Sequence, residues 1–402
     1  MRNVIRQLAQ KYADLVVGYR RDFHQHPEIG FQEVRTGSTV ERILRELRIE
    51  TKTGVAGTGV LGLLRGGREG GVIALRADMD ALPIEEKTGL PFASVNAGVM
   101  HACGHDMHTA ILLGCAHILS ELRAEIPGTV KFVFQPAEEL LPVTTMVGAA
   151  RMIADGALQN PKVDAIFGLH LMPDIDTGKA ATRAGTLFAS SDRFALTVKG
   201  KSCHGASPNL GVDAIVISAN VVNALQTIVS RNVAPNDTAV ITIGSIHGGV
   251  RHNILAESVK MIGTLRFFEP STRQAVIERI RAIVGGVTES LGGQHEFEMD
   301  SAVPATVNDP RLVKVLGRVM GDVLGDDFIL LDKPISTAED FSYYGREVPA
   351  AFLVLGCRGR GRAEGDCPPL HHYAFNPDEK CIPYGLEIMA NTVFEFLKSQ
   401  SL

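Results

Sequence analysis

Three short apolar runs each end on side chains that chemistry, rather than packing, selects. Residues 72–77 (VIALRA) lead into Asp78 and Asp80, residues 130–134 (VKFVF) into Glu138 and Glu139, and residues 164–169 (DAIFGL) deliver His170. A continuous apolar run, as opposed to an alternating one, is what a strand covered on both faces requires. Helical stretches lie between the runs. The pattern predicts an α/β unit on a mainly parallel sheet, with Asp, Glu and His gathered at strand ends, where such sheets place their ligands.

The densest chemistry lies at residues 100–108, MHACGHDMH. Cys and His bind borderline divalent metals well, and Cys103 and His105 flank Gly104, which lets the backbone turn sharply between them. Taken alone, the run is equally a helix start with satisfied polar groups. Ile111, Leu112, Cys115, Ile118 and Leu119 recur at helical spacing and predict a helix over 105–122. Cys103 and His105 then sit at its N-terminus, where free N–H groups favour the thiolate. The adjacent Glu138 and Glu139 suit two tasks, one ligating a metal and one handling a proton; an exposed acidic turn is the alternative. Residues 21–28 (RDFHQHPE) follow an amphipathic first helix and resemble a second cluster, but read better as structural histidines at a helix-to-loop junction.

Beyond Gly185 the rhythm changes. Phe194, Leu196 and Val198 alternate as a half-exposed strand, and the order that follows is strand, helix, two strands, helix, strand. This βαββαβ order predicts a ferredoxin-like module inserted into the larger unit, spanning 186–300 between parent segments 1–185 and 301–402. One face of its sheet is expected under helices and the other open to a cleft or partner. A length of 402 residues also fits two units better than one.

A net charge of -5 argues against a general nucleic-acid binder, and the Arg/Gly run at 358–362 reads as a solvated loop. No apolar run is long enough to read as a membrane span, and the N-terminus lacks a signal-peptide core. Six cysteines are too sparse for a disulfide framework, which points to a reducing cytoplasm.

Residues 21–28, 75–83, 101–108, 135–139, 204–208 and 339–342 follow, in order, the pattern of the hippurate hydrolases. The chain therefore resembles these N-acyl-amino-acid amidohydrolases, which include plant auxin-conjugate hydrolases within the wider two-metal exopeptidases. The resemblance covers nearly the whole chain and implies a metal-dependent exopeptidase-like catalytic unit carrying the inserted module. It implies that Cys103, His105, Glu139, His170 and His371 ligate two divalent metals, zinc or manganese or cobalt, and that Glu138 is the general base. It further implies that His204 donates a hydrogen bond to the oxyanion, that Asn253 helps hold the substrate carboxylate, and that Asp80 and Asp106 orient ligand histidines.

The sequence departs from the family pattern in places. Tyr373 replaces a proline, leaving His372 as a rival to His371. Residues 140–145 (LLPVTT) replace a glycine run, and Asn253 lacks the following proline. Glu339 and Asp340 read as a helix start capped by Ser336, or else as cleft lining. Cys367 and the remaining cysteines read as ordinary thiols. The expected activity is hydrolysis of the amide of an N-acyl amino acid to a carboxylic acid and a free amino acid, with a dipeptidase or carboxypeptidase as alternative. A silent metal-binding protein is disfavoured, because a structural site has no use for a free base beside closed ligands. The resemblance also implies a homodimer formed through the module, with His204 serving its own or the partner subunit, and hinges at Gly185 and 300–304.

Overall fold

The computed structural model describes residues 1–140, 146, 148–361 and 367–399. An eight-stranded sheet forms its frame. Its order is Glu50–Val55, Gly59–Arg65, Pro127–Gln135, Arg68–Asp78, Ala165–Asp176, Ala350–Arg358, Ala180–Thr182 and Phe328–Leu330. The four central strands run parallel, while the first two pair antiparallel.

The expectation of strands buried on both faces holds residue by residue. Ile73, Leu75 and Ala77 enter one core, formed with helices Arg2–Gln25, His105–Glu121 and Ile382–Ser399. Their neighbour Ala74 enters a second core on the opposite face, with Met152, Phe341 and Tyr344. Successive side chains of a strand point to opposite faces, so only a continuous apolar run fills both cores. His170 is not at a strand end as expected. Its strand continues to Asp176 because it keeps pairing with Ala350–Arg358.

A second sheet has the order Gln294–Val303, Ser191–Lys199, Ser258–Phe267 and Ala239–Gly248, all antiparallel. Two helices, Ala214–Arg231 and Pro270–Ser290, cover one face and close a core around Phe194, Leu196, Leu225 and Ile280. This is the split βαββαβ arrangement, and its last strand runs on to Val303. The first of these helices meets, by length and composition alone, the test for a bilayer-crossing segment. It is nonetheless a layer helix: Ile217, Val221, Leu225 and Ile228 are buried in this core, and Asp213 caps its first turn. Of the Arg/Gly run, Arg358 belongs to the strand Ala350–Arg358, whereas Arg360 is exposed as a solvated loop requires. Arg358 pairs with Asp176 at 2.8 Å, and Arg360 donates to the Thr177 carbonyl at 2.8 Å; Arg362 lies outside the described residues.

Candidate metal centre

Gly104 adopts φ +91° just before the helix His105–Glu121. A Cβ there would lie 2.8 Å from Leu171 Cδ1, so the turn needs glycine twice over. The turn brings Cys103 and His105 to the C-terminal side of the parallel strands. Cys103 Sγ lies 3.4 Å from His170 Nε2. His170 Nδ1 donates to the Leu171 carbonyl at 2.6 Å, which leaves the lone pair of Nε2 facing outward to ligate. His371 Nε2 lies 3.1 Å from Glu139 Oε1, and its backbone N–H is tied to the Ala102 carbonyl at 2.8 Å. His372 turns aside: its Nδ1 accepts from the Ala374 N–H at 3.2 Å, and its ring packs on Tyr373. Of the two rivals, His371 is the one in the cluster.

Cys103, His105 and His170 bring ligand atoms within reach of one shared ion, as do Cys103, Glu139 and His371. Buried His105 Nε2 has no hydrogen-bond partner and lies 4.0 Å from Glu139 Oε1, the oxygen that His371 Nε2 approaches. Buried polar atoms left unpaired are costly, and a cation between these two would satisfy both. The donor set of thiol, imidazoles and carboxylate fits a divalent metal pair. The expectation of a ready thiolate at Cys103 fails for the chain alone: burial pushes its thiol well up, and the charges of Glu139 and Glu138 push the same way.

His105 is oriented as expected, through Nδ1 to the Asp80 carbonyl at 2.9 Å and to Asp80 Oδ1 at 3.2 Å. Burial lowers the proton affinity of His105, but the charges of Asp78, Asp80 and Glu139 raise it to about 10. Asp106 does not orient a ligand histidine. Instead it accepts from His24 at 2.8 Å and pairs with buried Arg20 at 3.0 Å, behind the site. His24 is accordingly structural, as the sequence indicated.

Glu138 Oε1 accepts the Asp340 N–H at 3.3 Å. Burial raises its proton affinity, and nearby Glu339, Glu139 and Asp340 raise it further. One guanidinium offsets part of the charge of this acidic wall. Arg76, fully buried, pairs with Asp78 at 2.5 Å, Asp340 at 2.8 Å and Glu339 at 3.1 Å, and donates to Gln135 at 2.9 Å. The capping box from Ser336 is not formed. Glu339 is itself the N-cap of the short turn Asp340–Tyr343, accepting the Phe341 N–H at 3.0 Å, and both acids line the cleft.

The cleft is a cavity of about 450 Å³ lined by Cys103, Glu138, Glu139, His170 and His371. Met172, Phe188, Val303 and Leu370 form an apolar wall, and Arg266 reaches in from the four-stranded sheet. His204 and Asn253 are not among the lining residues. They sit together, exposed, at the far tip of that sheet, joined through the Gly205 N–H and the Asn253 carbonyl at 2.8 Å. The structure thus gathers the five ligand candidates and Glu138, and leaves His204 and Asn253 apart. Of the segment 140–145 that replaces the glycine run, residues 141–145 lie outside the described set.

Sequence reasoning missed Arg76, Arg266 and the Asp78–His108 bond of 2.7 Å. The signal for Arg76 was a lone charge inside an otherwise apolar run; the position of Arg266 depends on how the two sheets meet, which no local pattern encodes.

Comparison with known proteins agrees with this geometry. The model of Peptidase family M20/M25/M40 matches residues 74–395. The chain is 38% identical over 376 residues to the N-acetylcysteine deacetylase of Bacillus subtilis (strain 168), covering 93% of this chain and 95% of that protein. Among solved structures, a putative aminohydrolase from methicillin resistant Staphylococcus aureus superposes with a TM-score of 0.92 at 35% identity, covering 99% of this chain and 100% of that one. The Bacillus subtilis YXEP protein, a dinuclear metal binding peptidase from the M20 family, gives 0.82 at 34% identity, covering 97% and 99%. The chain is a hydrolase of amide bonds and belongs to Peptidase family M20/M25/M40.

Proposed function

We propose that the protein hydrolyses the amide bond of N-acyl amino acids, releasing a carboxylic acid and the free amino acid. Cys103, His105, Glu139, His170 and His371 hold two divalent cations, zinc or manganese or cobalt, and Glu138 is the general base. The observation that carries this reading is the convergence of Cys103, Glu139, His170, His371 and the adjacent Glu138 on one cavity, with His105 within reach of Cys103, His170 and Glu139. When bound, such cations supply Lewis acidity, polarising a carbonyl and acidifying water. Glu138 takes the proton of the attacking water and returns it to the leaving nitrogen. Asp340 steadies the base through its N–H, and Asp80 fixes the ring of His105.

The cavity walls suit the two halves of the substrate. Arg266, the one arginine among the described lining residues, matches an α-carboxylate, and the Met172, Phe188, Val303 and Leu370 wall accommodates an acyl group. A dipeptide is the competing substrate, because Glu339 and Asp340 in the wall offer charge to an ammonium group. His204 donates to the oxyanion and Asn253 assists the carboxylate only after the tip approaches the cavity. Closure about Gly185 and 300–304 brings it from the same chain. Alternatively it comes from a second copy, for which the unpaired edge strand Ala239–Gly248 provides a pairing face. A sparse set of six cysteines suits a reducing cytoplasm.

The test is turnover of metal-loaded protein on hippurate, N-acetyl amino acids, auxin conjugates and dipeptides, beside Glu138→Gln. The variant is expected to keep both cations and lose at least about 100-fold in kcat. Retained turnover removes Glu138 from the mechanism, and faster cleavage of dipeptides replaces the substrate assignment. His204→Ala is expected to lower kcat with the metal content unchanged.

A further inference from the structure

Glu33 occupies the N-cap position of helix Val34–Glu46, yet its side chain makes no cap hydrogen bond to that helix. Glu28 does that work instead. Its carboxylate accepts the Arg35 N–H at 3.0 Å, the Thr36 N–H at 2.8 Å and the Thr36 hydroxyl at 2.9 Å. Glu33, fully buried, reaches across the fold. One oxygen accepts the Ala137 N–H at 2.9 Å, and the other accepts the Thr58 hydroxyl at 2.5 Å. A carboxylate taken out of water must be repaid by strong hydrogen bonds, and here one of them goes to the residue immediately before the base.

Ala137 is also strained. It holds φ +55°, a left-handed conformation that costs a non-glycine residue about 1–2 kcal/mol and persists only where surroundings impose it. On the other side of Glu138, the Glu139 N–H donates to Asp80 Oδ2 at 2.9 Å. Two buried carboxylates, from segments remote in sequence, therefore grip the peptide groups flanking Glu138. The loop carrying Glu33 is pressed onto this turn: a Cβ on Gly30 would lie 3.1 Å from Ala137 Cα, and the Ala81 N–H donates to the Glu28 carbonyl at 2.8 Å.

We infer that Glu33 is a positioning residue for the general base, holding the Ala137 peptide in its left-handed turn so that Glu138 faces the cavity. The inference rests on Glu138 being the base. A side chain that acts this way governs kcat and leaves ground-state binding and metal ligation alone.

The experiment compares Glu33→Ala, Glu33→Gln and Glu138→Gln as metal-loaded proteins, reading kcat, KM and bound metal by mass spectrometry. Glu33→Ala is expected to lose about 10- to 100-fold in kcat with KM and both cations unchanged, the scale set by a small misplacement of a catalytic group. Glu33→Gln keeps an oxygen for the Ala137 N–H and is expected within about threefold of wild-type kcat. Wild-type kcat in Glu33→Ala overturns the inference, as does a loss that follows loss of metal or one that Gln does not rescue. If the alanine variant does not fold, Glu33→Asp takes its place. It keeps the charge but is one methylene short, so the same kcat loss supports the inference and wild-type kcat overturns it. Should Glu138→Gln retain turnover, the base assignment falls and this inference falls with it; an inactive Glu138→Gln beside a fully active Glu33→Ala removes only the role of Glu33.

Discussion

Cys103 Sγ and His170 Nε2, 67 residues apart in sequence, lie 3.4 Å from each other in a buried corner of the cleft. Without a cation this corner holds a protonated thiol, because burial and the Glu139 and Glu138 charges disfavour the thiolate. A divalent metal reverses that balance and deprotonates the thiol. Cys103→Ala is therefore expected to retain no more than one cation per chain after dialysis, where the wild type keeps two. Full occupancy in the variant, read by metal analysis, contradicts ligation by the sulfur.

Metal removal carries its own signature. His105 Nε2 is buried without a hydrogen-bond partner in the chain alone, so the metal-free fold bears a cost that cations relieve. A ligand at a hundred times its dissociation constant stabilises a fold by about 2.7 kcal/mol. Stripped protein is expected to unfold at lower temperature and to recover on adding zinc or manganese. His371→Ala, which removes the most exposed of the five donors, is expected to show a smaller metal-induced rise. An unchanged unfolding curve on metal addition would count against the site.

Much of this centre was legible beforehand because its donors sit where backbone geometry announces them. Cys103 and His105 flank a glycine at a helix start, and Glu138 and Glu139 follow a buried strand. Local periodicity gave the strands and, through them, the depth of the site. What it could not give was traffic between remote segments. Asp106 looked equivalent to Asp80, but its neighbours across the fold are Arg20 and His24, so it braces the core and not a ligand. No local pattern marks Glu33, and only the packing of its loop against Ala137 reveals its partner. His204 and Asn253 were named by resemblance, and they lie outside the residues that line the cavity.

Arg76 is expected to dominate the stability of the acidic wall. It is the guanidinium shared by Asp78, Glu339 and Asp340, and all four side chains are almost wholly buried. Removing one partner of a buried ion pair typically costs about 3–5 kcal/mol, since the remaining charge stays buried and uncompensated. Arg76→Met should lower the denaturant midpoint accordingly at neutral pH. The deficit should shrink at pH 5, where the stranded carboxylates take up protons. A deficit independent of pH would assign the loss to packing alone.

The last expectation concerns Glu33 as a titrating group. Burial first, and the Asp80 charge second, raise its pKa from the ordinary 4.5 to about 7. A carboxyl with a raised folded-state pKa favours the fold in its protonated form. That contribution is complete below the unfolded value and is lost as pH climbs through about 7. Ionising Glu33 in the native chain therefore costs on the order of 3 kcal/mol once the pH is well above that value. Glu33→Gln keeps the bond to Ala137 and cannot ionise, so its stability relative to wild type should rise between pH 5 and pH 8 in metal-free protein. Parallel stability curves for the two proteins across that interval would place the titration elsewhere. The gain in stability and the retained kcat of the same variant separate the two properties of this side chain, because the hydrogen bond positions the base while the charge only burdens the fold.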